Sequence, residues 1–335
     1  MMSTEAISVL GAGSWGTALA IRLANNKNKV YLWGHEPDLM QTLATERQNR
    51  QFLPDIAFPD DLFIEPDLAT AVGYSNDLLF VIPSHAFREV LVNAKPFFDE
   101  KTRIAWATKG LETGSGKFMQ EILEEETDNQ FPAAVLSGPT FAREVAAGLP
   151  TALTVASTNP SFANDLANRL HGDVMRVYTS DDVIGVQLGG TVKNVLAIAS
   201  GITDGLGLGA NSRAALITRG LAEIIRLGDS MGARRETLMG LAGIGDLILT
   251  CTDDQSRNRR LGLALGQGKP LELAIEEIGQ VVEGFNTARE VVQLARQYGV
   301  ELPIAEQVYR VLHENLSPAD AVNNLLSREI RPETG

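Results

Sequence analysis

Short apolar runs punctuate the first half of the chain, at Ala6–Leu10, Lys29–Trp33, Leu78–Ile82, Arg103–Ala107, Ala133–Ser137, Ala152–Ala156 and Met175–Tyr178. They are largely continuous rather than alternating, the pattern of strands buried on both faces. Between most of them lie segments with helical spacing: Ser14–Asn25, Ser84–Ala94, Lys117–Glu125 and Ser161–Leu170. Buried strands separated by helices predict a mainly parallel sheet covered on both sides. Ser84, after Pro83, is placed to cap its helix.

Beyond Tyr178 the period changes. Thr179-Ser180-Asp181-Asp182 supplies N-cap residues, and a helix with its apolar stripe at Leu188, Val192, Val195, Leu196, Ala199 and Ile202 follows. Helical spacing continues over Asn211–Gly228, Glu236–Leu241, Arg257–Gly266, Leu271–Ile278, Asn286–Tyr298, Ile304–His313 and Pro318–Leu326, and no strand is predicted there. Gly228, Gly232 and Gly299 are expected to stop helices. The predicted class is α/β, with a doubly wound parallel-sheet domain over residues 1–179 followed by an all-helical domain over residues 180–330. Arg331–Gly335 is expected to be a loose tail.

Lys193 is the lone charge in the apolar, glycine-flanked run Gly189–Gly201. Such a lysine either snorkels to solvent or is held by partners with a perturbed pKa. Each of Gly189, Gly190 and Gly201 weakens a helix by about 1 kcal/mol relative to alanine. Their presence predicts a close approach to this backbone, with room for a small substrate. A second isolated charge, Asp246, sits in Leu241-Ala242-Gly243-Ile244-Gly245-Asp246-Leu247. Buried alone it would cost several kcal/mol, so it requires a cation, and Lys193 is the obvious candidate.

Composition narrows the class of partner. The 335 residues carry a net charge of −13, which opposes nucleic acid or an anionic membrane as partner. The sequence does not show the oligomeric state; a homodimer is one candidate assembly. Cys251 is the lone cysteine, excluding an intrachain disulfide and favouring a reducing, cytoplasmic compartment. No targeting segment is read near Met1, and no apolar run approaches the roughly 20 residues of a bilayer span.

Gly11-Ala12-Gly13-Ser14-Trp15-Gly16 follows a strand and opens a helix. In that context G-x-G-x-x-G predicts a Rossmann-type dinucleotide site: Gly11 for the tight turn, Gly13 for approach of the pyrophosphate and Gly16 for strand–helix packing. The second strand ends at Trp33-Gly34-His35-Glu36, with no acid at its last residue to bind a ribose 2′-hydroxyl. His35 can instead hydrogen-bond a 2′-phosphate, so NADPH is expected to be preferred over NADH, the alternative being that Glu36 turns inward as the acid. Lys109 ends a strand, where a parallel sheet opens its ligand crevice, although it could equally cap a carboxylate. Ser137-Gly138-Pro139-Thr140-Phe141-Ala142 ends the next, either near a ligand or as a plain turn into a helix. Ser256, Arg257 and Asn258 offer donors for a phosphate, with Arg257 the bidentate fork. On charge alone a solvated helix face is the favoured reading of their cluster, with Arg259 and Arg260 toward water. Arg289, Glu276 and Glu277 are assigned to the surface.

These segments, with Thr250-Cys251-Thr252 and Val281-Val282-Glu283-Gly284, resemble in kind and order the bacterial NAD(P)-dependent glycerol-3-phosphate dehydrogenases. The resemblance runs from about residue 6 to 315. It implies reversible hydride transfer between NAD(P)H and C2 of dihydroxyacetone phosphate, supplying sn-glycerol 3-phosphate for phospholipid synthesis, with no metal. Lys193 would be the proton donor and acceptor. Lys109, Gly138, Thr140, Asp246, Ser256, Arg257 and Asn258 would contact the substrate. Ser14, Trp15, His35, Lys109, Ala142, Arg257, Val281 and Glu283 would contact the dinucleotide. Thr140 and Thr191 are small departures from the family pattern. A related hydroxy-acid or ketoacid dehydrogenase, or a dinucleotide sensor without turnover, are the alternatives; an assay with dihydroxyacetone phosphate and a substrate panel separates them.

Overall fold

A computed structural model describes residues 6–330, Pro332 and Glu333; Arg331, Thr334 and Gly335 of the expected tail, like the first five residues, lie outside the described residues. Eight strands form one sheet: β1 (Ile7–Leu10), β2 (Val30–Trp33), β3 (Leu62–Ile64), β4 (Asp77–Phe80), β5 (Arg103–Trp106), β6 (Ala133–Ser137), β7 (Thr151–Ala156) and β8 (Met175–Ser180). Their spatial order is β3-β2-β1-β4-β5-β6-β7-β8. All neighbours are parallel except the β6–β7 pair. The order reverses between β1 and β4, opening a crevice at the carboxyl ends of these strands, where doubly wound sheets bind ligands. β3 is an addition to the expected strands, a three-residue edge whose Phe63 is exposed.

Helices α1 (Ser14–Asn25), α2 (Pro37–Glu46), α3 (Leu68–Gly73), α4 (Phe87–Ala94), α5 (Met119–Thr127), α6 (Ala142–Ala146) and α7 (Pro160–Leu170) accompany the sheet. Ser84 lies in a 3-10 turn rather than capping α4, and its hydroxyl is used elsewhere. From Val183 onward the described residues contain helices and no strand: α8 (Val183–Gly205), α9 (Gly209–Met231), α10 (Arg235–Leu238), α11 (Asp246–Thr252), α12 (Arg257–Gly266), α13 (Leu271–Ile278), α14 (Glu283–Gln297), α15 (Pro303–His313) and α16 (Pro318–Leu326). A π-helical turn, Leu241–Gly245, leads into α11. Gly232 is the left-handed C-cap of α9, whereas Gly228 lies inside that helix.

The centre of the helical part is α8. Asp182 caps it, accepting from Gly185 N. It is buried on nearly every side rather than along one stripe. By length and composition it could cross a membrane, against the expectation of no such run. Its apolar window is 94% buried inside the protein, as in the core helix of a globular fold. Gly189, Gly201 and Gly205 admit protein backbone, not a substrate, whereas Gly190 faces the Ser137 and Lys109 side chains. A Cβ on Gly201 would stand 2.1 Å from the Arg259 carbonyl oxygen, and one on Gly262 of α12 would stand 2.0 Å from that of Ile198. Gly205 and Gly266 repeat the contact one turn on. Two G-x-x-x-G faces thus press α8 and α12 together. At the other end, Gly189 meets the Ala242 carbonyl oxygen of the π-turn, at 2.4 Å from a built Cβ. This packing holds Lys193, α11 and the start of α12 in fixed relation.

Candidate active site

The cofactor end is built from β1, its glycine turn and α1. Gly11 has a φ of +130°, and a Cβ there would stand 2.2 Å from the Val81 carbonyl oxygen. Gly16 would place a Cβ 1.8 Å from the Gly11 oxygen, whereas nothing lies within 4 Å of the Gly13 position. No side chain caps α1, so its first N–H groups and positive dipole end face the crevice. The Trp15 indole nitrogen is buried with no partner among the described residues. An open cradle, free amides and an orphaned donor fit a dinucleotide pyrophosphate. Ser14 is turned aside, its hydroxyl donating to the Phe52 carbonyl at 2.9 Å. His35 lies just past β2 with its side chain 78% exposed, and Glu36 is 3.8 Å away.

Across the crevice, the ends of β5 and β6 meet α8 and α11. Asp246 is 1% exposed and stands between two lysines. Lys193 Nζ donates to Asp246 Oδ1 at 2.5 Å and Lys109 Nζ to Oδ2 at 2.6 Å. The burial that would raise the Asp246 carboxyl is outweighed by the two ammonium groups, which hold it below its ordinary value. Burial pulls the Lys193 pKa down to about 8; Asp246 opposes the fall and Lys109 adds to it. Both expected functions of this carboxylate and lysine are therefore combined: they pair, and they do so at the crevice.

Lys109 also donates to the Gly138 carbonyl at 3.3 Å. Gly138 has a φ of +155°, and a Cβ would stand 2.8 Å from Leu153 Cα. The Thr140 hydroxyl donates back to the Gly138 carbonyl at 3.2 Å, tightening the turn into α6, which begins at Ala142. Ser137–Ala142 is thus both a turn and a wall of the crevice.

The third wall is the N-terminus of α12. Ser256 caps it, its hydroxyl accepting from Arg259 N at 3.2 Å. Asn258 Nδ2 donates to Asn194 Oδ1, and Asn258 Oδ1 accepts from Gly284 N, both at 2.9 Å. Arg257 is half-buried beside them. Its one long hydrogen bond goes to Gln280 Oε1 at 3.4 Å, and it has no carboxylate within ion-pair distance among the described residues. Burial lowers its pKa, partly offset by Glu283. A desolvated guanidinium without a carboxylate, at a helix N-terminus, is suited to an anion. The solvated-face reading fails for Arg259, which is buried and paired with Asp204 at 2.6 Å and Asp254 at 2.9 Å. Arg260, Arg289, Glu276 and Glu277 are exposed, as expected.

Glu283 opens α14, its carboxylate accepting from the Ser84 hydroxyl at 3.0 Å. Burial raises its pKa. Val281 is exposed nearby in sequence. Three contributors escaped the sequence reading. Thr250 accepts from Lys193 at 2.9 Å and donates to the Asp246 carbonyl oxygen at 2.6 Å. Asn194 orients Asn258, and Ser84 engages Glu283. The four-residue spacing from Asp246 to Thr250 was the available signal, since it puts both on one helix face. Cys251 is fully buried with its thiol pushed up to about 12, so it is not a nucleophile.

With this geometry established, comparison with known proteins is specific. Residues 6–163 match the N-terminal family model of NAD-dependent glycerol-3-phosphate dehydrogenase, and residues 182–323 match the C-terminal one. A glycerol-3-phosphate dehydrogenase [NAD(P)+] of Shewanella pealeana is 57% identical over 335 residues, covering 100% of this chain and 99% of the relative. The crystal structure of glycerol-3-phosphate dehydrogenase from Coxiella burnetii has a TM-score of 0.94 at 52% identity, covering 97% of this chain and 99% of that one. A PanE/ApbA family ketopantoate reductase from Ralstonia eutropha shares the fold, with a TM-score of 0.59 at 17% identity over 94% of this chain and 99% of that one. Two family models that together span nearly the whole chain, and relatives above half identity, place this chain in the NAD-dependent glycerol-3-phosphate dehydrogenase family.

Proposed function

We propose that Lys193 is the proton donor and acceptor of an NAD(P)-dependent sn-glycerol-3-phosphate dehydrogenase. The observation that carries the assignment is the buried Lys109–Asp246–Lys193 arrangement at the sheet's carboxyl edge. Residues 1–179 form the dinucleotide part in this reading and residues 180–330 the catalytic helical part. When bound, the reduced nicotinamide supplies hydride to C2 of dihydroxyacetone phosphate, and its oxidised form takes hydride from C2 of sn-glycerol 3-phosphate. Negative charge grows on the C2 oxygen during reduction. The Lys193 ammonium stabilises that charge and donates a proton to it; in oxidation the neutral amine removes the hydroxyl proton. Asp246 and Thr250 hold Lys193 in place.

Lys109 adds a second positive charge beside the reacting oxygen. Arg257, the amides at the start of α12, Ser256 and Asn258 take the phosphate, with Gly138 and Thr140 closing the opposite side. Fixing the phosphate at a distance positions C2 and converts binding into orientation. Gly11, Gly13, Ser14, Trp15, Gly16, Ala142, Val281 and Glu283 hold the dinucleotide. NADPH is preferred over NADH in this reading, because exposed His35 stands where an acid would repel a 2′-phosphate. The reduced product feeds phospholipid synthesis. The lone buried cysteine supports a cytoplasmic location.

Lys193→Ala is expected to lower kcat by about 10²–10⁴-fold while NADPH still binds. Nicotinamide absorbance with dihydroxyacetone phosphate reads turnover, and NADPH fluorescence reads binding. Near-normal turnover would remove Lys193 from the role. A panel of phosphorylated and carboxylated ketones tests the substrate, and kcat/KM with each nucleotide tests the preference; better turnover of a carboxylated ketone, or a clear NADH preference, would overturn the respective assignment.

A further inference from the structure

Behind Lys109 lies a small cavity that the proposed reaction does not use. It has a volume of about 10 Å³ and is lined in part by Lys109, Gly110, Ser137, Gln187, Gly190 and Thr191. That is close to the smallest space that accepts one water molecule. Water enters such a space only where polar groups await it, so the lining groups decide the matter.

Lys109 presents its stem here; its ammonium is turned away to Asp246 at 2.6 Å and the Gly138 carbonyl at 3.3 Å. The Gln187 amide is committed on both atoms, accepting from Gln120 N at 3.2 Å and donating to Gln120 Oε1 at 3.3 Å. The Thr108 hydroxyl, also in the lining, donates to the Ile82 carbonyl at 2.8 Å. Two hydroxyls remain. Ser137 Oγ is buried and has no hydrogen-bond partner among the described residues. Thr191 Oγ1 is 3.5 Å from the Gly110 carbonyl oxygen, well beyond the usual O–H···O length of about 2.5–3.0 Å. Gly190 keeps the space open: a Cβ there would stand 2.7 Å from Ser137 Oγ and 3.6 Å from Lys109 Cγ.

We propose that Ser137 and Thr191 hold one buried water that ties the end of β6 to α8 directly behind Lys109. Ser137 donates to the water, and the water donates to Thr191 Oγ1 and the Gly110 carbonyl. This satisfies a buried hydroxyl and carbonyl that are otherwise poorly matched. The consequence rests on the assignment of Lys109 to substrate binding. Ser137 and Thr191 are positioning residues: through the water they brace the backbone of Lys109–Gly110, and so the direction in which the Lys109 ammonium enters the site.

The test has two arms that fail separately. A high-resolution crystal structure of the full chain should show an ordered water within about 3 Å of both hydroxyls. An empty cavity, or a direct bond from Ser137 to Thr191, would overturn the site whatever the enzyme's substrate. Thr191→Val keeps the side-chain shape and removes the hydroxyl, and Ser137→Ala removes the other partner. Each is expected to raise KM for dihydroxyacetone phosphate about 3- to 10-fold, with kcat within about twofold and KM for the nucleotide unchanged. Thr191→Ser, retaining a hydroxyl, should restore most of the loss. Equal changes in all three parameters, or Thr191→Ser no better than Thr191→Val, would overturn the positioning role. If Ser137→Ala does not fold, the Thr191 pair still decides it.

Discussion

If Lys193 moves the proton, its ionisation sets how turnover depends on pH. Its pKa falls from 10.5 to about 8, chiefly through burial. At pH 7 a group of pKa about 8 is roughly one-tenth neutral, against about three parts in ten thousand for an ordinary lysine. The protein therefore raises the supply of neutral base about 300-fold. Oxidation of glycerol 3-phosphate needs that neutral amine, so kcat/KM should rise to a plateau with a midpoint near pH 8; reduction needs the ammonium and should fall through the same midpoint. The two perturbing charges act in opposite senses. Asp246→Asn removes the group that opposes the shift and should move the midpoint down by about 1 unit or more; Lys109→Gln removes a like charge and should move it up. Initial rates between about pH 7 and 10, above the phosphate's second ionisation near 6, read this without interference from the substrate. Stability carries the same signature. The folded chain releases the Lys193 proton near 8 and the unfolded chain near 10.5, so stability rises with pH between them. A midpoint at or above about 10, or both substitutions moving it the same way, would refute the reasoning.

Arg257→Ala should raise KM for the phosphorylated ketone at least about 10-fold with a much smaller effect on kcat, because a phosphate loses its bidentate partner; an unchanged KM would return Arg257 to a structural role. Gly201→Ala would drive a Cβ to 2.1 Å from the Arg259 carbonyl oxygen and should cost about 3 kcal/mol, whereas Gly73→Ala, with nothing within 4 Å, should change stability little. Thermal unfolding of the two variants compares them directly. Glu223 on α9 accepts from Ile304 N at 2.7 Å and Ala305 N at 3.3 Å at the start of α15, and burial pushes its pKa up to about 7. The folded carboxyl then holds a proton that the unfolded one has lost, so stability is fully present below about 4.5 and declines as pH rises through 7. Glu223→Gln should abolish that decline, on the order of 3 kcal/mol, in urea unfolding at pH 5 and 8.

What the sequence made legible follows from which interactions are local. Continuous apolar runs marked seven of the eight strands because a parallel strand is buried on both faces along its own length. β3 escaped because three residues at the sheet edge, of which Leu62 alone is buried, carry little pattern. Asp246 announced its need for a cation, since a lone carboxylate among apolar residues and glycines has few other outcomes. Arg259 misled because its partner Asp204 lies 55 positions away on α8, and nothing in a run of arginines identifies which one turns inward. The glycines of α8 were correctly read as signs of close approach, but at Gly189 and Gly201 the approaching group is the backbone of the π-turn and α12, and at Gly190 it is the Ser137 side chain. Thr191 and Ser137 could be named from sequence, yet only folding brings them to one cavity.

The Lys109–Asp246–Lys193 arrangement also explains why the site must be built from both halves of the chain. Lys109 comes from the end of β5, Lys193 from α8 and Asp246 from the start of α11. Each would be costly to bury alone, and removing one member leaves another uncompensated. Two lysines with one carboxylate leave a net positive charge while Lys193 is protonated, matched to the anionic phosphate and the growing charge on oxygen. Without Asp246, burial and the Lys109 charge would push the Lys193 pKa lower still; without Lys109, that pKa would rise and the neutral fraction at pH 7 would shrink. In the proposed reaction this intermediate balance would let a single buried amine serve as acid in one direction and base in the other. If α12 holds the phosphate as proposed, the glycine contacts between α8 and α12 gain a functional meaning: they fix that helix against the one that carries Lys193, so that backbone packing rather than flexible side chains would set the distance between phosphate and reacting carbon.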